Sequence, residues 1–219
     1  MARIRTEYSK PVFWALFVCL WSLAVIAVLV VLANRSHLQL WKIGLYFVLL
    51  GGYLIAERIA HRTPQQLGDR AHESLRYWLA LTWWALVFGS ILVYALHPVE
   101  KWALTLTGAL IVLAGSILRV WSVFTLGRFY SGHIETWAGQ TIVQTGPYHI
   151  LRHPGYAGSI LQGIGFPLLV NAYPVLILSL VALILFVYRM LWEERWLTEN
   201  LPGYQEYCSR TRRLIPGVW

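Results

Sequence analysis

The sequence predicts an all-α polytopic integral membrane protein, with four transmembrane helices followed by a C-terminal helical hairpin. Three observations carry this. The 219 residues are 58% hydrophobic and only 13% charged, against roughly 45–50% and 25% in an ordinary soluble domain. Mean hydropathy is +0.55. The apolar residues fall in runs near the ~20 residues that a helix needs to cross the hydrocarbon core. Twelve Trp and twelve Tyr suit a chain with two lipid–water interfaces, where amphipathic rings collect.

The runs can be placed in order. Val12 to Ala33 carries no charge and is too long for a cleaved signal peptide. Trp41 to Ile59 is broken only by Lys42 near its start and by Glu57 and Arg58 near its end. Tyr77 to Leu96 is third, and Trp102 to Phe124 is fourth, with Arg119 near its end. Tyr156 to Trp192 is too long for one span. Pro167, Asn171 and Pro174 break it into a hairpin turning near Val170–Tyr173. The chain divides into N-terminal transmembrane helices, 1–126, and a C-terminal core of loop, hairpin and tail, 127–219.

The net charge of +8 does not point to nucleic acid, because the basic residues lie between apolar runs rather than on one compact face. Arg3, Arg5 and Lys10 precede the first run. Arg58, Arg62, Arg70 and Arg76 sit at the second connection, Arg128 and Arg152 at the fourth, and Arg195, Arg210, Arg212 and Arg213 after the hairpin. The alternate connections hold Arg35, Lys42 and Lys101, and Glu100 is the one carboxylate there. The positive-inside rule puts both termini and the 127–155 segment in the cytoplasm. Cys19 and Cys208 lie far apart in sequence and suggest no disulfide framework.

Chemistry concentrates in two clusters. The first is Gln140-Thr-Ile-Val-Gln-Thr-Gly-Pro-Tyr148-His-Ile-Leu-Arg152-His153-Pro154-Gly155-Tyr156-Ala-Gly158. Gly146-Pro147 marks a turn. Pro154 suits the first turn of a helix, whose free N–H groups and positive end favour an anionic group. Gly155 and Gly158 let a ligand or another backbone come close. The alternative is a loop entering the membrane, with Arg152 and His153 at headgroup level.

The second cluster is Arg189-Met-Leu-Trp-Glu193-Glu194-Arg195. Arg189 and Glu193 share one helical face. They form either a snorkelling Arg with an intrahelical ion pair or a paired site at the mouth of a cavity. His149 and His153 are also four apart, but a metal site needs three or four ligands. The added candidates His133 and Glu135 lack motif spacing, so no metal is expected. Arg119 reads as a buried ion-pair residue, with Glu135 one candidate partner. Gly51-Gly52 and Gly108 with Gly115 read as close helix packing. Phosphate-loop, Rossmann and nucleophile-elbow patterns are absent.

In this order the clusters resemble the isoprenylcysteine carboxyl methyltransferase family and its bacterial and phospholipid N-methyltransferase relatives. The resemblance rests on Thr145-Gly-Pro-Tyr148, Arg152-His-Pro-Gly-Tyr156, the hairpin, Arg189…Glu193-Glu194, and Tyr204-Gln-Glu-Tyr207 before Ile215-Pro216, covering about residues 125–219. It implies a membrane enzyme that uses S-adenosylmethionine. The cofactor would be held by Gln140, Thr141, Ile142 and Val143, by Tyr148, by His153, Pro154, Gly155 and Tyr156, and by Glu193. Arg189 matches the position that engages a substrate carboxylate, and His133 falls near a further cofactor position. Gly155 stands where eukaryotic members often carry Ser.

The residues suit this chemistry. Methyl transfer from a sulfonium needs alignment and a dry pocket more than a strong base. A carboxylate acceptor is already ionised at neutral pH, and an Arg can hold it bidentately. A lipophilic or lipid-linked acceptor would enter from the bilayer. The short length and compact tail look bacterial, which would place the protein in an inner membrane. Three rivals remain: a membrane amine, phospholipid or thiol methyltransferase, an NADPH-dependent isoprenoid or sterol reductase, and a non-catalytic scaffold or small transporter. A transporter would be expected to show a repeat or paired broken helices.

Overall fold

The computed structural model describes residues 22, 26, 29–33, 39–60, 69–70 (backbone only), 75–136 and 139–217. Most of the expected first span, Val12–Ala33, lies outside these residues, as do Arg3, Arg5, Lys10, Cys19, Arg35 and Arg62. The described residues 22, 26 and 29–33 are helical.

Helices α1 (Leu40–Ala60), α2 (Leu75–Leu96) and α3 (Trp102–Leu126) follow the expected runs to within two residues, the usual play at frayed ends. The hairpin is α4 (Pro154–Leu169) and α5 (Leu176–Asn200), followed by the short α6 (Tyr204–Arg210). Strand β1 (Asp69–Arg70) pairs antiparallel with β2 (Glu135–Thr136), Asp69 opposite Thr136.

Among the described residues, four helical stretches are long and apolar enough to span: α1, α2, α3 extended to Phe129, and α5 with its preceding turn from Tyr173. Their outward faces are apolar. On α3, Leu106, Leu110, Leu113 and Ile117 are exposed at helical spacing, and Ile177, Leu180, Val181 and Ile184 do the same on α5. Side chains apolar both inward and outward mark helices solvated by lipid. The protein is an integral membrane protein.

At 16 residues, α4 is about 24 Å long, short of the ~30 Å core. Its glycines seat it against α3. A Cβ on Gly108 would lie 2.3 Å from the Leu169 nitrogen, and one on Gly158 would lie 2.6 Å from the Gly115 carbonyl. Gly158 thus admits a backbone. At Gly51 and Gly52 no described atom lies within 4 Å of a Cβ.

Pro167 lies inside α4 and leaves the carbonyl four residues earlier without its helical donor. That carbonyl, on Gly163, accepts from the Ser179 hydroxyl of α5 at 2.6 Å. The hairpin turns through Asn171, at φ 58°, whose amide donates to Thr105 Oγ1 on α3 at 2.8 Å.

At the end of the bundle where this turn lies, the fully buried Lys42 pairs with Glu100. Glu100 also accepts from the Tyr94 hydroxyl at 2.9 Å, and Trp41 stacks on Trp102 with ring centroids 4.9 Å apart.

Candidate active site

The opposite end of the bundle holds a cavity of about 360 Å³. The C-terminal tail builds its rim. Leu151 and Arg212 form a parallel bridge, in which Arg152 N–H donates to the Arg212 carbonyl at 2.7 Å and His153 N–H to that of Arg213 at 3.2 Å. From α6, the Tyr207 hydroxyl donates to the Tyr148 carbonyl at 2.7 Å. The chain leaves this bridge at His153 and enters α4 at Pro154, whose fixed φ suits a first helical turn.

One carboxylate locks the arrangement. Glu194 accepts from Arg152 Nη1 at 2.9 Å and Arg213 Nε at 2.9 Å, and lies 3.3 Å from His153 Nε2. Arg152 and His153 are therefore anchored to protein groups. The His153 ring is stacked on Tyr156, centroids 5.4 Å apart and 4° from parallel. The Tyr156 hydroxyl donates to Glu193 Oε2 at 2.5 Å. Arg189 Nη2 donates to the Gly132 carbonyl at 2.8 Å, and its guanidinium lies 5.8 Å from the centre of the Tyr156 ring. Neighbours on one helix, Glu193 and Glu194 thus serve different partners.

Eleven of the twelve residues singled out from sequence line this cavity: His133, Gln140, Thr141, Ile142, Val143, Tyr148, His153, Gly155, Tyr156, Arg189 and Glu193. Pro154 is buried at the helix start instead. Gln140–Val143 lies outside any helix or strand, and Ile142 packs on the Leu201–Tyr204–Tyr207 cluster. His133 Nε2 lies 2.6 Å from Arg76 Nη1, so it faces a cation and acts as the acceptor. Burial and the nearby Glu193 charge push the Tyr148 and Tyr204 phenols well above their ordinary range, which keeps them protonated donors.

Sequence reasoning missed the apolar end. Leu79, Ala80, Trp83 and Trp84 of α2 and Phe186 of α5 line it, but their types are generic for any span. It also mispaired Arg119, whose carboxylate partner is Glu57 at 2.7 Å. Glu135 lies buried in β2 and accepts from the Ser131 hydroxyl. His149 is exposed while His153 is buried, so the two do not form a ligand pair. Among the described residues no three His, Cys, Asp or Glu gather as a metal-binding group.

The family model of the isoprenylcysteine carboxyl methyltransferases matches residues 107–199, from α3 through the hairpin. Through that segment the chain is similar to this family, and it spans between about half and two thirds of the length of the first curated relatives it matches. Over 92 residues it is 34% identical to the protein YpbQ of Bacillus subtilis, covering 42% of this chain and 55% of that protein. Over 149 residues it is 27% identical to protein-S-isoprenylcysteine O-methyltransferase B of Arabidopsis thaliana, covering 66% of this chain and 76% of that enzyme. The fold is similar to that of a eukaryotic intramembrane Ras methyltransferase, with a TM-score of 0.54 and 21% identity over 90% of this chain and 74% of the other.

Proposed function

We propose that the protein is an S-adenosylmethionine-dependent membrane methyltransferase acting on the carboxylate of an isoprenylcysteine or a similarly lipophilic acceptor. One observation carries the reading: a single cavity gathers Gln140–Val143, Tyr148, His153, Tyr156, Arg189 and Glu193 from separate segments, polar at this end and apolar at Leu79, Trp83, Trp84 and Phe186.

The donor set fits the cofactor. Glu193 is held on one oxygen by Tyr156 and keeps a second acceptor for an amino group. Gln140–Val143, in no helix or strand and lining the cavity, has backbone amide groups not committed to a helix or a sheet, which suit the edge of a base. Tyr148, His153 and Gly155 complete that wall. When bound, the cofactor supplies an electrophilic methyl on a sulfonium.

The protein's own residues then position and exclude. Arg189, steadied by Gly132, offers a fixed positive charge for an acceptor carboxylate, which needs no base. The aromatic end excludes water and receives the lipophilic chain from the bilayer. An amine acceptor would face the Arg189 cation and be repelled. Residues 127–219 supply most of the cofactor contacts, on a scaffold of the earlier helices. The basic connections of the sequence favour a cytoplasmic site.

Calorimetric titration of the detergent-purified protein with S-adenosylhomocysteine tests this. Micromolar binding is expected. Glu193→Ala should weaken it about ten- to a hundredfold, the scale of one charge-assisted hydrogen bond. Arg189→Ala should keep that binding and lose labelled-methyl transfer to a farnesylcysteine acceptor. A folded sample in lipid that does not bind the ligand, or an Arg189→Ala variant that turns over like wild type, would overturn the reading.

A further inference from the structure

Arg119 lies within α3 about two turns before its end, its side chain only 17% exposed, and it lines the same cavity. Its Nε donates to the Tyr53 hydroxyl at 2.9 Å and to Glu57 Oε1 at 3.2 Å. Nη2 donates to Glu57 Oε1 at 2.7 Å and to the Tyr130 hydroxyl at 3.2 Å. Nη1 reaches α4, donating to Ser159 Oγ at 2.9 Å and to the Gly155 carbonyl at 3.3 Å.

This placement is electrostatically awkward by itself. A guanidinium keeps its charge at any working pH. Here its Nη1 reaches the first turn of α4, the positive end of that helix's dipole. A cavity wall of that character repels a further cation. Glu57 removes the conflict, and it comes from α1, outside the family-matched residues 107–199.

We propose that Glu57 is a positioning residue for the cofactor cavity: by neutralising Arg119 it makes the wall at the start of α4 tolerant of a sulfonium. The inference rests on the S-adenosylmethionine reading above. Its signature is a difference between two ligands. S-adenosylmethionine and S-adenosylhomocysteine share every group except the methyl and its positive charge, so a loss of packing weakens both alike and a loss of charge balance weakens the first more.

The test is calorimetric titration of the full chain in lipid nanodiscs with both ligands. Glu57→Gln keeps the side-chain shape and one acceptor oxygen but removes the charge. It should weaken S-adenosylmethionine about tenfold more than S-adenosylhomocysteine, the scale of one uncompensated charge acting across a cavity at an effective permittivity of about 20. Adding Arg119→Gln to the same chain should restore the wild-type ratio. Arg119→Gln alone, which removes a positive charge from the wall and leaves the Glu57 carboxylate in place, should favour the sulfonium ligand and carries the test if the first variant does not fold. Equal weakening of both ligands, or an unchanged ratio in the single variants, overturns the role of Glu57. A wild-type protein that binds neither ligand overturns the methyltransferase reading and this inference with it.

Discussion

Gly115→Ala strikes the contact on which the site stands. The new Cβ would meet the Gly158 carbonyl at 2.6 Å, Leu161 Cβ at 2.9 Å and the Gln162 nitrogen at 3.0 Å. Two of these are backbone atoms, so no rotamer relieves the clash and α3 must move from α4. Ordinary contact begins near 3.4 Å, so the shortfall is about 0.8 Å. Overpacking of this kind costs about 1–3 kcal/mol. Arg119 lies one turn further along the same face, and its bond to the Gly155 carbonyl is already 3.3 Å long. The same movement takes it out of hydrogen-bond range, adding about 1.5–3 kcal/mol for a charged donor. Alanine's better helix propensity returns about 1 kcal/mol. The net loss is about 1.5–5 kcal/mol, a fall in detergent melting temperature of roughly 3–20 °C, with weaker S-adenosylhomocysteine binding. Gly51→Ala is the control: no described atom lies within 4 Å of its Cβ, so it should melt at or slightly above wild type. Equal melting temperatures for the two variants would refute the reasoning.

Two other perturbations address the tail. Glu194→Gln removes the carboxylate shared by Arg152 and Arg213. It should release the bridge at Arg212 and speed limited trypsin cleavage at Arg210–Arg213 about tenfold, since cleavage follows the population of the locally opened state; unchanged digestion would show that the bridge holds without it. Burial, opposed by Arg152, pushes the Cys208 thiol above its ordinary value, so at pH 8 less of it is thiolate than in an unstructured chain. In a Cys19→Ser background it should react with iodoacetamide more slowly than a peptide thiol, and should speed up as pH rises. Peptide-like reactivity at pH 8 would contradict the half-buried setting.

The spans were legible because lipid leaves one solution for the backbone: every polar group bonds within its own helix. The Arg152–Tyr156 and Arg189–Glu194 clusters were legible as motifs, and the structure brings both to one cavity. What stayed hidden was pairing across helices. Glu57 reads as a charge near the end of a span, and nothing in the sequence says that α1 presents it to Arg119. Glu135, nearer in sequence, was the natural but wrong partner. Glu194 was visible beside Glu193, yet its division of labour depends on which way each side chain leaves the helix. Pro167 reads as a helix breaker. It is absorbed because Ser179, on the returning arm of the hairpin, caps the carbonyl it strands.

The parallel bridge between Leu151 and Arg212 imposes an order of assembly. The segment leading to His153 is synthesised some sixty residues before the strand that anchors it, with the whole α4–α5 hairpin between them. During synthesis, the helices can enter the bilayer while the rim of the cavity is still unmade. Only when residues 211–213 fold back does that rim acquire its backbone partners. A nascent chain halted after the hairpin would have its helices but not the backbone partners that residues 211–213 give the rim.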